Sequence, residues 1–129
     1  MRALFFGLLL VSCTAAIAAP GPVPVDSGKP KALIRLAKLD TRECKIKPEG
    51  TVHIEVPPQH GKAEIKLEDA SGQNSKCGNV SGKVIRIFYT SKKGYKGSDQ
   101  IEFAQVIEPD QSDNGARVVR KYRIPIEVR

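Results

Sequence analysis

Apolar and polar residues alternate along most of the chain, and this alternation predicts β-strands. The clearest run is "VIRIFYT", in which Ile85, Ile87 and Tyr89 share one face of a strand while Arg86 and Phe88 occupy the other. A repeat of two residues is the spacing of a strand and not of a helix. One apolar face and one polar face are typical of antiparallel sheets. The same alternation occurs in "TVHIEV", "KAEIKLE", "QIEFAQVI" and "VRKYRIPIEVR".

Turn-forming residues separate these runs and indicate how many strands there are. The intervening stretches are "PEG", "PPQHG", "ASGQNSKCGNVSGK", "KKGYKGSD" and "EPDQSDNGA". "ALIRLAKL" (residues 32–39) fits either a first strand or a short helix, and we favour the strand. Pro125 cannot donate to a ladder, so its strand should be an edge at that point. The pattern predicts an all-β fold, a small antiparallel β-sandwich of about six to seven strands.

The N-terminal residues have the composition of a secretory signal peptide. A basic start is followed by the apolar run "ALFFGLLLV" and then by the small residues of "AIAA". This pattern predicts a signal peptide over residues 1–18, with cleavage after Ala18. Residues 19–31 are rich in Pro and Gly and read as an extended tether, which leaves residues 32–129 for the domain. The protein is therefore expected to be periplasmic or secreted.

An alternative for the same region is a lipoprotein leader. "LVSC" (residues 10–13) resembles the lipobox of bacterial lipoproteins, in which the cysteine becomes the lipidated first residue. In that case the protein would be anchored to a membrane through Cys13. The sequence leaves both forms of processing open.

The chain has three cysteines, and two of them lie in the predicted domain. Cys13 is discarded or lipidated, so Cys44 and Cys77 remain as an even pair in an oxidising compartment, where a disulfide is expected. Zinc is the weaker alternative, because His53 and His60 do not provide the ligand spacing of known fingers.

A second pattern lies around "PPQHG" and "YTSKKGYKGSDQIEF". Its residues are Pro58, His60, Gly61, Tyr89, Gly94, Tyr95, Gly97, Asp99, Ile101 and Phe103. It resembles the P-x-H-G and Y-x-G-x-D-x-[FI] motifs of bacterial Ig-like and cadherin-like surface modules. It also resembles small secreted proteobacterial proteins with one disulfide. The resemblance implies an Ig-like sandwich. Ser91 replaces the family's usual proline, and Gln105-Val106 replaces an acidic position, which argues against the calcium sites of some relatives.

The motif also has an explanation that needs no ligand. Gly94 and Gly97 can adopt positive φ where the chain reverses, and Asp99 can accept backbone N–H bonds that close the turn. Tyr95 can cover the end of the sandwich with its hydroxyl on a backbone carbonyl, as in a tyrosine corner. Phe103 then enters the core. We therefore interpret the motif as a structural corner in preference to a binding site.

The formal net charge is +7, and seven of the 21 Lys and Arg residues lie in two clusters. A basic exported protein can be drawn to anionic surfaces, so the clusters are candidate sites for polyanions such as lipopolysaccharide. The alternative is a solvated face. Nucleic acid is disfavoured, because Tyr95 and Tyr122 are the only nearby aromatics available for stacking. The clusters are Lys92, Lys93 and Lys96, and Arg117, Arg120, Lys121 and Arg123.

No catalytic, metal or cofactor site is predicted. The two histidines have no nucleophile or carboxylate at a recognisable spacing. "EPDQSDNG" supplies Glu108, Asp110, Asp113 and Asn114 but lacks the D-x-D-x-D-G pattern of a calcium loop. We therefore expect a non-enzymatic binding or structural module of the bacterial envelope, with a protein or glycan partner. The alternatives are a secreted inhibitor or effector acting on a protein target, and a polyanion binder.

Overall fold

The computed structural model describes residues 21–109 and 115–129, and these form eight strands and no helix. The all-β sandwich predicted from the sequence is confirmed, with eight strands instead of six to seven. None of the described residues belongs to a helix that could cross a membrane. The strands are β1 (Val23–Val25), β2 (Lys31–Asp40), β3 (Lys45–Pro48), β4 (Thr51–Val56), β5 (Gly61–Asn74), β6 (Gly78–Ser91), β7 (Gly97–Ile107) and β8 (Val118–Val128).

The strands are arranged in two four-stranded sheets. One sheet has the order β1-β8-β7-β4 and the other β2-β3-β6-β5, with β2 also pairing directly to β6. Most pairs are antiparallel, but β1–β8 and β3–β6 are parallel. The sandwich is therefore antiparallel apart from these two short pairings. These two pairings could not be predicted, because the alternation of residues within one strand does not indicate the direction of the neighbouring strand.

The segment predicted to be a tether contributes a strand. Within residues 19–31, Val23 and Val25 flank Pro24 and form β1 alongside the end of β8. Val25 is only 2% exposed and belongs to the core. The domain therefore begins by Val23 and not at residue 32. Val23 and Val25 pack against the core on either side of an exposed proline, and this is enough to form a short outer strand. The predicted signal peptide, its cleavage point after Ala18 and Cys13 lie outside the described residues.

The core lies between the sheets and follows the predicted alternation on three strands. Ile87 and Tyr89 on β6 and Ile101 and Phe103 on β7 are fully buried. On β8 burial deepens toward the end of the strand. Burying each such side chain contributes about 1.5–3 kcal/mol. The cluster of buried residues comprises Val25, Leu36, Ile85, Ile87, Tyr89, Ile101, Phe103, Ile126 and Val128.

The long turn predicted around Cys77 is mostly strand. β5 and β6 pair without interruption from Gly61↔Ser91 to Asn74↔Gly78, so only residues 75–77 connect them. Gly82 is typical of a loop, but it lies within β6. A glycine is required at this position because a Cβ would overlap the backbone of Ile46 on β3. Tertiary packing thus overrides a composition typical of turns.

The predicted disulfide is present and closes one end of the sandwich. Cys44 and Cys77 are bonded, with their Cα atoms 5.5 Å apart. Cys44 ends the turn between β2 and β3, in which Asp40 accepts the backbone N–H groups of Arg42 and Glu43. Cys77 ends the β5–β6 turn, in which the Asn74 side chain accepts its N–H. The bond therefore joins two turns that belong to one sheet.

Pro125 lies in the part of β8 that has a neighbouring strand on one side only, within the described residues. β7 runs beside β8 from Val118 to Val128, whereas β1 reaches only from Ile126 onward. Pro125 is the residue just before the stretch that β1 covers. The structure thus has an edge at the point where the sequence predicted one.

Candidate functional site

The Asp99 carboxylate joins the two halves of the sequence motif. Its oxygens accept the backbone N–H groups of Gln59 and His60, both at 3.0 Å, and that of Gln100 at 2.9 Å. The Tyr89 hydroxyl donates a fourth hydrogen bond at 2.7 Å. Asp99 begins the buried half of β7, while Gln59 and His60 form the turn from β4 to β5. One carboxylate therefore fastens the connection between the two sheets.

These contacts shift the pKa values of both side chains. Burial alone would raise the pKa of Asp99, but the hydrogen bonds from Tyr89 and from three backbone N–H groups outweigh it, and the net pKa is lowered. Burial raises the pKa of Tyr89 well above its ordinary value, and the hydrogen bond to Asp99 raises it further. Asp99 is thus held as the acceptor and Tyr89 as the donor at neutral pH.

Tyr95 covers the same corner from outside. Its ring stacks on that of His60 with centroids 4.0 Å apart, and its hydroxyl donates to the Ser98 carbonyl at 2.6 Å. Gly94 and Gly97 have φ angles of 86° and 132°, in the region that favours glycine. The hydroxyl-to-carbonyl bond expected of a tyrosine corner is therefore present.

The surroundings of Asp99 offer little room for a ligand. A cavity of about 220 Å³ lies beside it, lined by Val56, Pro57, Gln59, Ser98 and Gln100. Pockets for small molecules usually measure about 300–1,000 Å³. Both carboxylate oxygens already accept hydrogen bonds within the chain. These observations support the interpretation of the motif as a structural corner.

The basic cluster on β8 is matched by acidic residues. Each of its four members lies within 4 Å of a carboxylate, so positive and negative charges are balanced in this region. The pairs are Arg117–Glu108 at 3.5 Å, Arg120–Glu49 at 3.9 Å, Lys121–Glu55 at 3.7 Å and Arg123–Glu102 at 2.7 Å.

The other cluster is exposed and has no such partners. Lys92, Lys93 and Lys96 lie in the turn between β6 and β7, and none of them forms a salt bridge within residues 21–109 and 115–129. The turn is closed by the Tyr95 N–H, which donates to the Lys92 carbonyl at 3.0 Å. Three ammonium groups are thus presented by an ordered backbone.

A second segment packs against this turn and adds a fourth lysine. Ser27 accepts the Gly94 N–H at 3.0 Å, and the Gly28 N–H donates to the Ser91 hydroxyl at 2.9 Å. Lys29 follows directly and is exposed. We call Lys29, Lys92, Lys93 and Lys96 the lysine end. Sequence reasoning missed Lys29, because the segment was assigned to a tether.

The two basic clusters do not form one surface. Gly97, next to Lys96, pairs with Val128, whereas Ile107 pairs with Val118, next to Arg117. The clusters thus begin at opposite ends of the β7–β8 ladder, which is about 30 Å long.

The two residues that depart from the family motif both form hydrogen bonds within the fold. The Ser91 hydroxyl accepts the N–H of Gly28 in the segment before β2, and the Gln105 side chain donates to the Glu49 carbonyl at 2.7 Å.

The described residues contain no group of three His, Cys, Asp or Glu side chains placed to hold a metal. His53 lies on β4 opposite Ala104, and His60 lies in the corner. Of the oxygen-bearing residues in "EPDQSDNG", Asp110, Asp113 and Asn114 lie outside the described residues, and Glu108 pairs with Arg117.

Comparison of the chain with protein-family models, with curated proteins and with solved structures gave no match.

Proposed function

We propose that the chain is an exported, non-enzymatic binding module of the bacterial envelope that binds phosphate-rich polyanions such as lipopolysaccharide through the lysine end. The observation that carries the proposal is the contrast between the two basic clusters. Each member of the β8 cluster has a carboxylate within 4 Å, whereas Lys92, Lys93 and Lys96 are exposed without acidic partners in the described structure.

The fold supports such a role by holding the lysine end in place. The backbone of this turn forms hydrogen bonds with His60 of the Asp99 corner and with the Ser27–Gly28 segment. The entropy cost of binding would therefore come from ordering the lysine side chains and not from ordering a loop. The formal net charge of +7 favours approach to an anionic surface. The Cys44–Cys77 disulfide is compatible with an oxidising compartment, which supports the exported part of the proposal.

The experiment measures binding of the purified protein to lipopolysaccharide at several salt concentrations. Reversing the charge of Lys92, Lys93 and Lys96 to Glu should weaken binding at least about tenfold, and the logarithm of the binding constant should depend less steeply on that of the salt concentration. The matched control reverses Arg120, Lys121 and Arg123 and so changes the net charge equally. That control should retain most of the affinity, because these residues are already paired.

Two results would contradict the proposal. One is the absence of binding by the wild-type protein at low salt. The other is an equal loss of affinity in the two triple variants, which would mean that total charge and not the lysine end is recognised. Thermal unfolding of both variants checks that each is folded.

A further inference from the structure

β5 is a long and regular edge strand. It spans fourteen residues and pairs with β6 alone in the part of the chain that the structure describes. Its register with β6 is continuous, without a bulge, and it contains no proline. Proteins usually interrupt exposed edges with such features, because an unpaired strand offers N–H and C=O groups to another chain.

The inner face of this strand exposes apolar side chains. Ile65 and Leu67 lie opposite Ile87 and Ile85 of β6, which are buried. At the edge they are themselves 42% and 63% exposed. The alternation "KAEIKLE" predicted that both would be covered by the core. The core ends one strand earlier, so these two side chains form an apolar patch left open at the edge of the described sandwich.

The outer face of the same segment carries charges of alternating sign. Lys62, Glu64, Lys66 and Glu68 follow one another at every second residue, and their side chains are 41–70% exposed. Within one copy Lys62 and Lys66 lie 3.1 and 3.5 Å from Glu64, and Glu68 lies 3.6 Å from Arg86, so pairs between copies would compete with these exposed pairs. Lysines alone on an edge would repel another strand. A strand with this alternation is complementary to an antiparallel copy of itself.

We propose that two copies of the chain associate through β5, antiparallel and in register, with a two-fold axis at Ile65. Residues at equal distances before and after Ile65 then face each other. Lys62 of one copy opposes Glu68 of the other, and Glu64 opposes Lys66. On the inner face Ile65 meets its own counterpart and Ala63 meets Leu67. This is an isologous interface, in which every contact occurs twice.

The charges select this register over its neighbours. An axis at Glu64 would oppose Lys62 to Lys66 and Glu64 to itself. An axis at Lys66 would oppose Glu64 to Glu68 and Lys66 to itself. Like charges directly opposite each other destabilise a strand pair. A shift by one residue in the pairing would place charges against apolar side chains. Only the axis at Ile65 satisfies both faces among these choices.

Charge-swap variants test the proposal directly. The full-length gene product, purified with its disulfide closed, is examined by sedimentation equilibrium over a range of concentrations, and the wild type should show a monomer–dimer equilibrium. Glu64→Lys places two lysines opposite each other, and Lys66→Glu places two glutamates opposite each other. Each should raise the dimer dissociation constant about tenfold or more, since two symmetric pairs change from attraction to repulsion.

Mixing the two variants is the decisive step. In a mixed dimer the lysine introduced in the first variant faces the glutamate introduced in the second. The unchanged Lys66 of the first variant likewise faces the unchanged Glu64 of the second, so association should return to the wild-type level. The control is Lys38→Glu on β2, at the opposite side of the same sheet, which should leave dimerisation unchanged.

Three results would overturn the proposal. The first is a wild-type protein that is monomeric at every concentration. The second is a dimer that is insensitive to both swaps, and the third is a mixture of the two variants that fails to associate.

Discussion

Asp99 forms more hydrogen bonds than any other side chain among the described residues. Its carboxylate accepts four hydrogen bonds from two sides of the corner. Asp99→Ala would leave three N–H groups and the Tyr89 hydroxyl without their acceptor, so the free energy of unfolding should fall by about 2–4 kcal/mol. Tyr89→Phe removes one of the four and should cost about 1 kcal/mol. Chemical denaturation measures both. Equal stability of Asp99→Ala and the wild type would rule out a structural role for the carboxylate.

The pH dependence of stability gives a second measure of the same residue. The pKa of Asp99 is lower in the folded chain than in the unfolded chain, so its contribution is complete above the unfolded pKa of about 3.9 and is lost as the pH falls below it. The wild type should therefore be more stable than Asp99→Asn at neutral pH, and the difference should shrink in acid. A difference in unfolding free energy that stays constant from neutral pH to about pH 2 would contradict this assignment.

The disulfide belongs to the scale of elements, because it joins the β2–β3 turn to the β5–β6 turn. The chain-entropy model, whose mechanism is disputed, gives about 3–4 kcal/mol for closing a loop between residues 33 apart. The double variant Cys44→Ser and Cys77→Ser should lose stability by this amount. The double substitution avoids leaving a free thiol. An unchanged melting midpoint, measured against the oxidised wild type, would be inconsistent with this contribution.

Elements were predictable where their residues alternate and one face is buried by neighbours on both sides. β6, β7 and the end of β8 follow this rule, and the alternation correctly predicted the burial of Ile87, Tyr89, Ile101, Phe103 and Ile126. The burial of Val84, Ala104 and Gln105 does not follow the alternation and was not predicted. β1 was missed because three residues around a proline are too few for a periodic signal. The alternation correctly predicted that β5 is a strand, but not that the apolar side chains on its inner face are exposed. The sequence does not say which strand will lie at the edge of a sheet.

At the scale of the whole molecule, the corner was more predictable than the surfaces. Tyr95, Gly94 and Gly97 act within their own turn, and such local chemistry leaves a sequence pattern. The bonds of Asp99 to Gln59 and His60 join residues about 40 apart, and the partners of Asp99 in the β4–β5 turn were not predicted. The pairing of the β8 cluster with acidic residues on or next to β4 and β7 depends on strand order, as does the approach of Lys29 to the β6–β7 turn. Neither the acidic partners of the β8 cluster nor the position of Lys29 can be predicted from the local sequence. Consequently both basic clusters looked alike in the sequence and differ in the structure.

The parallel pairing of β1 with β8 has a mechanical consequence. Both strands run in the same direction, and the ladder continues through the Arg129 N–H to the Val25 carbonyl and the Ser27 N–H to the Arg129 carbonyl. A pulling force applied before Val23 and after the last residues of β8 would slide the two strands past each other lengthwise. All of these hydrogen bonds would then share the load at once instead of opening one after another. A domain tethered on one side and bound on the other would resist extension until this shear clamp broke as a unit.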